Sequence, residues 1–191
     1  MDTSGLINRI LRVIRFDASV YREVAADTNA LPQALMVVAA AAILTGLGNF
    51  GQLGTQSLGG VLVLVVLGVV GSLVGYVLYA GVASLVARSL FQGKTDFQEM
   101  ARTLGFAYAW NGLGILNIIP CVGGVFVFIG SLVAIVAGII ALRESAEFDM
   151  TKAAITAILS GVIAGFAVFC ATAIVGLPIL AMLGLASGAG Q

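Results

Sequence analysis

The side chains with chemistry to offer are few and widely spaced. Histidine is absent, which removes the usual general base near neutral pH and the commonest metal ligand. The two cysteines, Cys121 and Cys170, lie far apart with no metal-ligand spacing. They read as small apolar side chains, with a disulfide the lesser reading. No serine–histidine set, membrane aspartate pair, P-loop or dinucleotide glycine pattern occurs. The expectation is therefore no catalytic residue, no metal and no cofactor. Three kinds of polar residue remain. Glu23, Asp27, Arg102, Arg143 and Glu144 flank apolar runs and could bind a partner by charge. Tyr108, Asn111 and Asn117 lie inside an apolar run, where they could join helices or line a solute path. Arg9, Arg12 and Arg15, spaced three apart, could meet anionic lipid headgroups.

These groups sit in a chain with almost no other charge. Of its 191 residues, 60% are hydrophobic and 9% charged, against about 25% charged in a typical soluble domain. So few charges cannot cover a water-facing surface, and the expected class is an integral membrane protein. The apolar runs are continuous rather than alternating, which selects helices over a β-barrel. Net charge is zero and no basic tract occurs, so no nucleic-acid partner is expected.

The expected fold is all-α, a five-helix membrane bundle with an N-terminal amphipathic interfacial helix. Residues 1–29 read as a polar N-terminal segment, 30–182 as the membrane domain and 183–191 as a flexible tail. Over Leu6–Phe16, apolar residues take one helix face and the three arginines the other, a pattern suited to the lipid interface. Docking on the rest of the protein is the other reading. The arginines leave no apolar core for a signal peptide. A short helix is expected over Val20–Ala26. Spans are expected near Leu31–Leu47, Leu58–Ala87, Thr103–Ile119, Val122–Leu142 and Lys152–Pro178. Thr28 or Asn29 could cap the first, and Pro32 suits its first turn. Thr95-Asp96-Phe97-Gln98 offers a capping box before the third, and Asp149 or Thr151 a cap for the fifth. Gly71–Gly75 and Gly161–Gly165 have the GxxxG spacing, so close helix packing or self-association is expected there.

All nine Lys and Arg fall in three segments: the N-terminal region to Arg22, Arg88–Arg102 and Arg143–Lys152. The alternate connections, Gly48–Ser57 and Pro120–Cys121, and the tail carry none. The positive-inside rule then places the N-terminus and both charged connections in the cytoplasm and the C-terminus outside. A re-entrant hairpin over 103–119 and 122–142 satisfies the same charges, but the lengths favour two crossings.

The stretches Phe91-Gln92-Gly93-Lys94-Thr95-Asp96-Phe97, Arg102-Thr103-Leu104-Gly105-Phe106-Ala107-Tyr108, Ile119-Pro120 and Ala141-Leu142-Arg143-Glu144 resemble the Ypt-interacting-protein (Yip) family. Tyr21-Arg22-Glu23-Val24-Ala25-Ala26-Asp27 resembles its short prokaryotic members. The resemblance runs from about Tyr21 to Phe169. It implies five spans with a cytoplasmic N-terminus. Eukaryotic members are linked to Rab-type GTPases and vesicle traffic between endoplasmic reticulum and Golgi. The long N-terminal domain with its Asp-Leu-Tyr-Gly-Pro motif does not occur in this sequence, and a proline of the family pattern is replaced near Ala109-Trp110. The implied setting is therefore a prokaryotic plasma membrane, without a Rab partner. Family roles would map to Glu23, Asp27, Gly105, Tyr108, Pro120, Arg143 and Glu144.

The leading functional expectation is a non-enzymatic membrane adaptor or organiser. It would meet an unidentified membrane or cytoplasmic protein at its charged face, and would contact lipids and further copies of itself. A second expectation is a small transporter or channel subunit using the polar third span. A third is a lipid-interacting, membrane-shaping protein acting through Leu6–Phe16.

Overall fold

The computed structural model describes residues 3–49 and 58–176. Every regular element among them is helical. Two short helices, α1 (Thr3–Ile14) and α2 (Ser19–Ala26), precede α3 (Leu31–Gly48) and the long α4 (Leu58–Phe91). Then come α5 (Phe97–Ala107), a 3-10 helix (Tyr108–Ile118), α6 (Gly123–Ala146) and α7 (Met150–Ala171), which ends in a π turn (Thr172–Gly176). Among the described residues, four helices are long and apolar enough to cross a membrane: Leu31–Gly48, Leu62–Phe91, Gly123–Ala146 and Met150–Ile174. The expected third span is divided instead. Its first half is α5, and its second half, Tyr108–Ile118, is wound as a 3-10 helix. The loop at 50–57, the end of the fifth span near Pro178 and the tail from 183 lie outside the described residues.

The packing is the reverse of a soluble core. The buried positions are mostly small: Ala34, Ala41, Ala80, Ala83, Ala87, Ala137, Ala141, Ala153 and Ala157. Large apolar side chains point outward, among them Val66, Phe128, Ile158, Phe166 and Phe169. In lipid no hydrophobic force drives helices together, so small residues that admit close backbones fill the interfaces. The 3-10 helix is enclosed by α3 and α6, and α7 joins α6 to α4. Helix α4 buries Ala80, Ala83 and Ala87 near its C-terminal end and exposes Leu62, Val66 and Val70 at the other. The bundle is therefore closed at one end and splayed along α4.

Local signals set the ends of these elements. Pro32 lies in the first turn of α3, as expected, but no side chain caps that helix; Asp27 instead accepts from the Asn29 amide at 3.0 Å. The capping box before α5 falls one residue later than expected, between Asp96 and Glu99: Asp96 accepts the Glu99 amide at 2.6 Å. A carboxylate outcompetes the Thr95 hydroxyl for the helix N-terminus because it adds charge to the hydrogen bond. Asp149 caps α7 through the Lys152 amide at 2.8 Å. At the end of α4 the left-handed residue is Gln92, with φ 54°. Gly93 serves packing instead: a β-carbon there would lie 2.6 Å from the Phe148 ring.

The central hairpin has legs of matched length. At 1.5 Å per α residue and 2.0 Å per 3-10 residue, α5 with the 3-10 helix extends about 38 Å and α6 about 36 Å. The connection between them is tight. Cys121 takes φ 68°, and a β-carbon on Gly123 would strike the Asn117 backbone at 2.6 Å. Both cysteines carry free thiols, and Cys121 is exposed rather than packed.

Candidate functional site

The three arginines of α1 do not share one environment. Arg9 reaches Glu23 at 2.9 Å, Asp27 at 2.8 Å and Gln33 at 2.8 Å. Arg12 reaches Asp17 at 2.9 Å and also Glu23 and Ser19. Asp17 before α2, Glu23 on α2 and Asp27 ahead of α3 hold Arg9 and Arg12 in ion pairs, with which any headgroup contact would compete. Arg15 remains exposed and makes no such pair among the described residues. The clamp is felt by the acids. The Arg12 hydrogen bond leads in holding Glu23 below the ordinary carboxylate range, and the Arg9 bond does so for Asp27. Asp17 is lowered to about 2, by Ser19 first and then Arg12. With its polar face clamped, α1 packs Leu6, Ile10 and Val13 inward and presents Ile7, Leu11 and Ile14 outward. Phe16 at its end stacks on Trp110, with ring centroids 5.3 Å apart.

The five expected partner-binding residues separate. Glu23 and Asp27 belong to the α1 clamp. Arg102 is only 5% exposed, and its Nε has no hydrogen-bond partner among the described residues. That burial sets it apart from the exposed Arg143. Arg143 and Glu144 lie elsewhere, at the end of α6. The Glu144 carboxylate receives Arg22 at 2.6 Å and has Arg143 at 3.7 Å.

Around this pair is a polar groove of about 540 Å³, lined by Arg22, Lys94, Glu99, Arg143, Glu144 and Glu147, with Ala25, Ala26 and Phe148. It joins α2, the α4–α5 connection, the start of α5 and the α6–α7 connection. Sequence reading missed Arg22, Lys94, Glu99 and Glu147 as members. The available signal was that all three charged segments must meet at one end of an antiparallel bundle.

The polar residues of the third segment take separate places. Asn117 donates to the Asn49 side chain at 2.6 Å, tying the end of the 3-10 helix to the end of α3. The Asn111 carbonyl accepts from Thr45 at 2.9 Å. The Asn111 and Tyr108 side chains line two adjoining cavities of 590 and 300 Å³ beneath α4. Tyr76, at the closed end, donates to the Ala101 carbonyl.

Of the GxxxG glycines, Gly75 and Gly161 lie where α4 meets α7, and Gly71 and Gly165 face open space within the chain. A β-carbon on Gly71 or Gly165 would meet nothing within 4 Å, and those on Gly75 and Gly161 would make only ordinary contacts, at 3.7 and 4.0 Å. Spacing alone does not say which glycine face has a neighbour. Close approach occurs elsewhere, at Gly48 against Gly114 and at Gly105 against Ala34.

A family model for the Yip1 domain matches residues 11–172. No curated protein and no solved structure matches the chain.

Proposed function

The chain belongs to the Yip1-domain family, and from that premise we propose that it is a non-enzymatic, five-span membrane adaptor. The observation that carries this reading is the groove of Arg22, Lys94, Glu99, Arg143, Glu144 and Glu147. Three charged segments, distant in sequence, bring both signs of charge to one place. The confinement of Lys and Arg to those same segments supports a cytoplasmic groove by the positive-inside rule. A protein surface with interleaved charges is the partner it suits, because charge complementarity fixes orientation and speeds encounter. Phe148, Ala25 and Ala26 give the groove an apolar floor. The matched legs of the central hairpin support a third and fourth crossing, since each exceeds the roughly 30 Å of bilayer hydrocarbon. A prokaryotic plasma membrane is the setting proposed.

The test is a photoreactive residue at Glu147 in the full chain, in its native membrane. The expected result is a discrete protein adduct that falls about tenfold when Lys94→Glu and Arg143→Glu are combined, a loss of about 1.4 kcal/mol in binding. Insertion should be unaffected. An adduct of undiminished yield in the double variant would count against the groove.

A second reading has its own observation. Ile7, Leu11 and Ile14 face outward from α1 beside the exposed Arg15. That face suits insertion into the headgroup boundary, so α1 is proposed to bind the lipid surface through its apolar face, aided by Arg15. Vesicle flotation of the isolated N-terminal peptide would test a different, unclamped state. The informative measurement is fluorescence quenching of a probe at Leu11 by brominated lipid in the intact protein. Strong quenching is expected; quenching no greater than that of a probe at Arg22 would remove this reading.

A further inference from the structure

We propose that α1 is a lid on the bundle, held closed by its carboxylate clamp and opened by an anionic lipid surface that takes Arg9 and Arg12. This regulation rests on the reading of α1 as a lipid-binding helix.

Closed, α1 lies on α2, α5 and the 3-10 helix. Its apolar residues are divided: Leu6, Ile10 and Val13 pack on the protein, whereas Ile7, Leu11 and Ile14 face outward. Moving the inner three from the protein to acyl chains changes little, because hydrocarbon is as apolar as the bundle interior. The destination of the arginines therefore sets the position of α1. Arg9 bonds Glu23, Asp27 and Gln33, and Arg12 bonds Asp17, Glu23 and Ser19. Every ion pair in this clamp is partly open to solvent. Such pairs are individually weak, and a lipid phosphate offers each guanidinium an equivalent partner. The phosphates are within reach. Gln33 stands in the first turn of α3, a membrane-length helix, so on the proposed topology the clamp lies at the level of the cytoplasmic headgroups. When Arg9 leaves, Asp27 keeps the nearby positive charge of Arg102.

The closed position also carries two local costs. Phe16, at the end of α1, has φ 55°, a left-handed backbone disfavoured for residues with a β-carbon. It stacks on Trp110, whose indole Nε1 is buried without a hydrogen bond among the described residues. A swing of α1 about Asp17 and Ala18 relieves both: Phe16 relaxes, and the indole gains access to headgroup oxygens, the surroundings tryptophan favours. Two positions so closely balanced respond to whatever ligand prefers one of them.

The experiment uses the full chain with Cys121→Ser and Cys170→Ser, spin-labelled through Asn8→Cys on α1 and Lys152→Cys on α7, both exposed positions. It is held in nanodiscs of phosphatidylcholine, alone or with about one third phosphatidylglycerol. The distance between the labels counts closed and open molecules. Phosphatidylglycerol is expected to raise the ratio of open to closed about tenfold, the order set by two arginines drawn to an anionic surface. Trp110 is the only tryptophan in the chain, so its quenching by lipid brominated near the headgroup should rise in parallel without a label. Arg9→Gln with Arg12→Gln should remove the dependence on phosphatidylglycerol. Glu23→Gln with Asp27→Asn should move opening to a lower anionic fraction. Distances indifferent to phosphatidylglycerol, or a dependence that survives loss of both arginines, would overturn the lid. Should the arginine variant fail to fold, the carboxylate variant decides, and an unchanged anionic fraction at half-opening would overturn it. A probe at Leu11 separates the two readings. Quenched by brominated lipid in both nanodiscs while the distances stay fixed, it would show that α1 binds lipid without being a lid. Unquenched in both, it would remove the lipid-binding reading and the lid with it.

Discussion

Gly105 faces Ala34 and Tyr76 where α5 crosses α3, and a β-carbon there would lie 2.7 Å from the Ala34 β-carbon and 3.2 Å from its α-carbon. Neither atom is the far end of a flexible side chain, so the helices would have to separate. Gly105→Ala is expected to destabilise by about 1–3 kcal/mol, the range for overpacking. Gly71→Ala and Gly165→Ala, which meet open space, are expected to be neutral or to stabilise by about 0.5–1 kcal/mol, since alanine is the better helix former. Thermal unfolding in detergent ranks the three; equal transitions would show that these contacts do not limit stability. The sequence spacing picked out Gly71–Gly75 and passed over Gly105 as a contact because a repeat describes one helix face, not what lies opposite. Arg102 poses the converse case. It is a buried cation whose Nε has no hydrogen bond among the described residues, with Asp27 close enough to interact with it by charge. Replacing a buried charge by an apolar side chain of similar volume is often neutral or favourable. Arg102→Met should therefore stay within about 1 kcal/mol of the parent in the same assay, or exceed it. A loss of about 3 kcal/mol or more would mean the guanidinium holds something in place.

At the scale of elements, α1 is retained by carboxylates whose folded pKa values are depressed. Asp17, Glu23 and Asp27 are all lowered in the folded chain, Asp17 to about 2. Groups of this kind favour the folded arrangement above their unfolded pKa near 4, and that contribution is lost as pH falls through the folded values. Helix α1 should therefore be held firmly at neutral pH and released between about pH 4 and pH 2. Amide hydrogen exchange over residues 3–14 would report the release as faster exchange. In the Glu23→Gln, Asp27→Asn double variant, exchange should be fast already at neutral pH and its acid step much reduced. An unchanged step in that variant would assign the release to other groups. The amphipathic pattern of α1 was legible in the sequence, but the destination of its arginines was not: the acids that bind them lie 5 to 18 residues away, and only folding brings them near. The 3-10 winding of Tyr108–Ile118 was equally hidden. Its apolar residues permit either helix type, and the choice is made by packing between α3 and α6.

At the scale of the whole molecule, the sequence already carried the class, the helices and the separation of charge from apolar body. Those features follow from composition and span length, which depend little on packing. What it could not carry was the depth of each polar residue, because depth depends on whether the divided third segment crosses. The geometry supports crossing through a length argument: 3-10 winding stretches 11 residues to about 22 Å, where an α-helix would reach about 16 Å. On the proposed topology, Cys121, exposed in the tight connection after the 3-10 helix, lies at the end opposite the charged groove and outside the cell. With Cys170→Ser to leave one thiol, intact cells should be labelled at Cys121 by a membrane-impermeant maleimide added externally. Labelling only after the inner face is exposed would make the central hairpin re-entrant from the cytoplasm. The chain would then have three crossings, with the 3-10 helix and α6 dipping into the bilayer and returning to the side they entered from. A single thiol thus decides the depth of Tyr108, Asn111 and Asn117, while the groove stays on the same side in either topology.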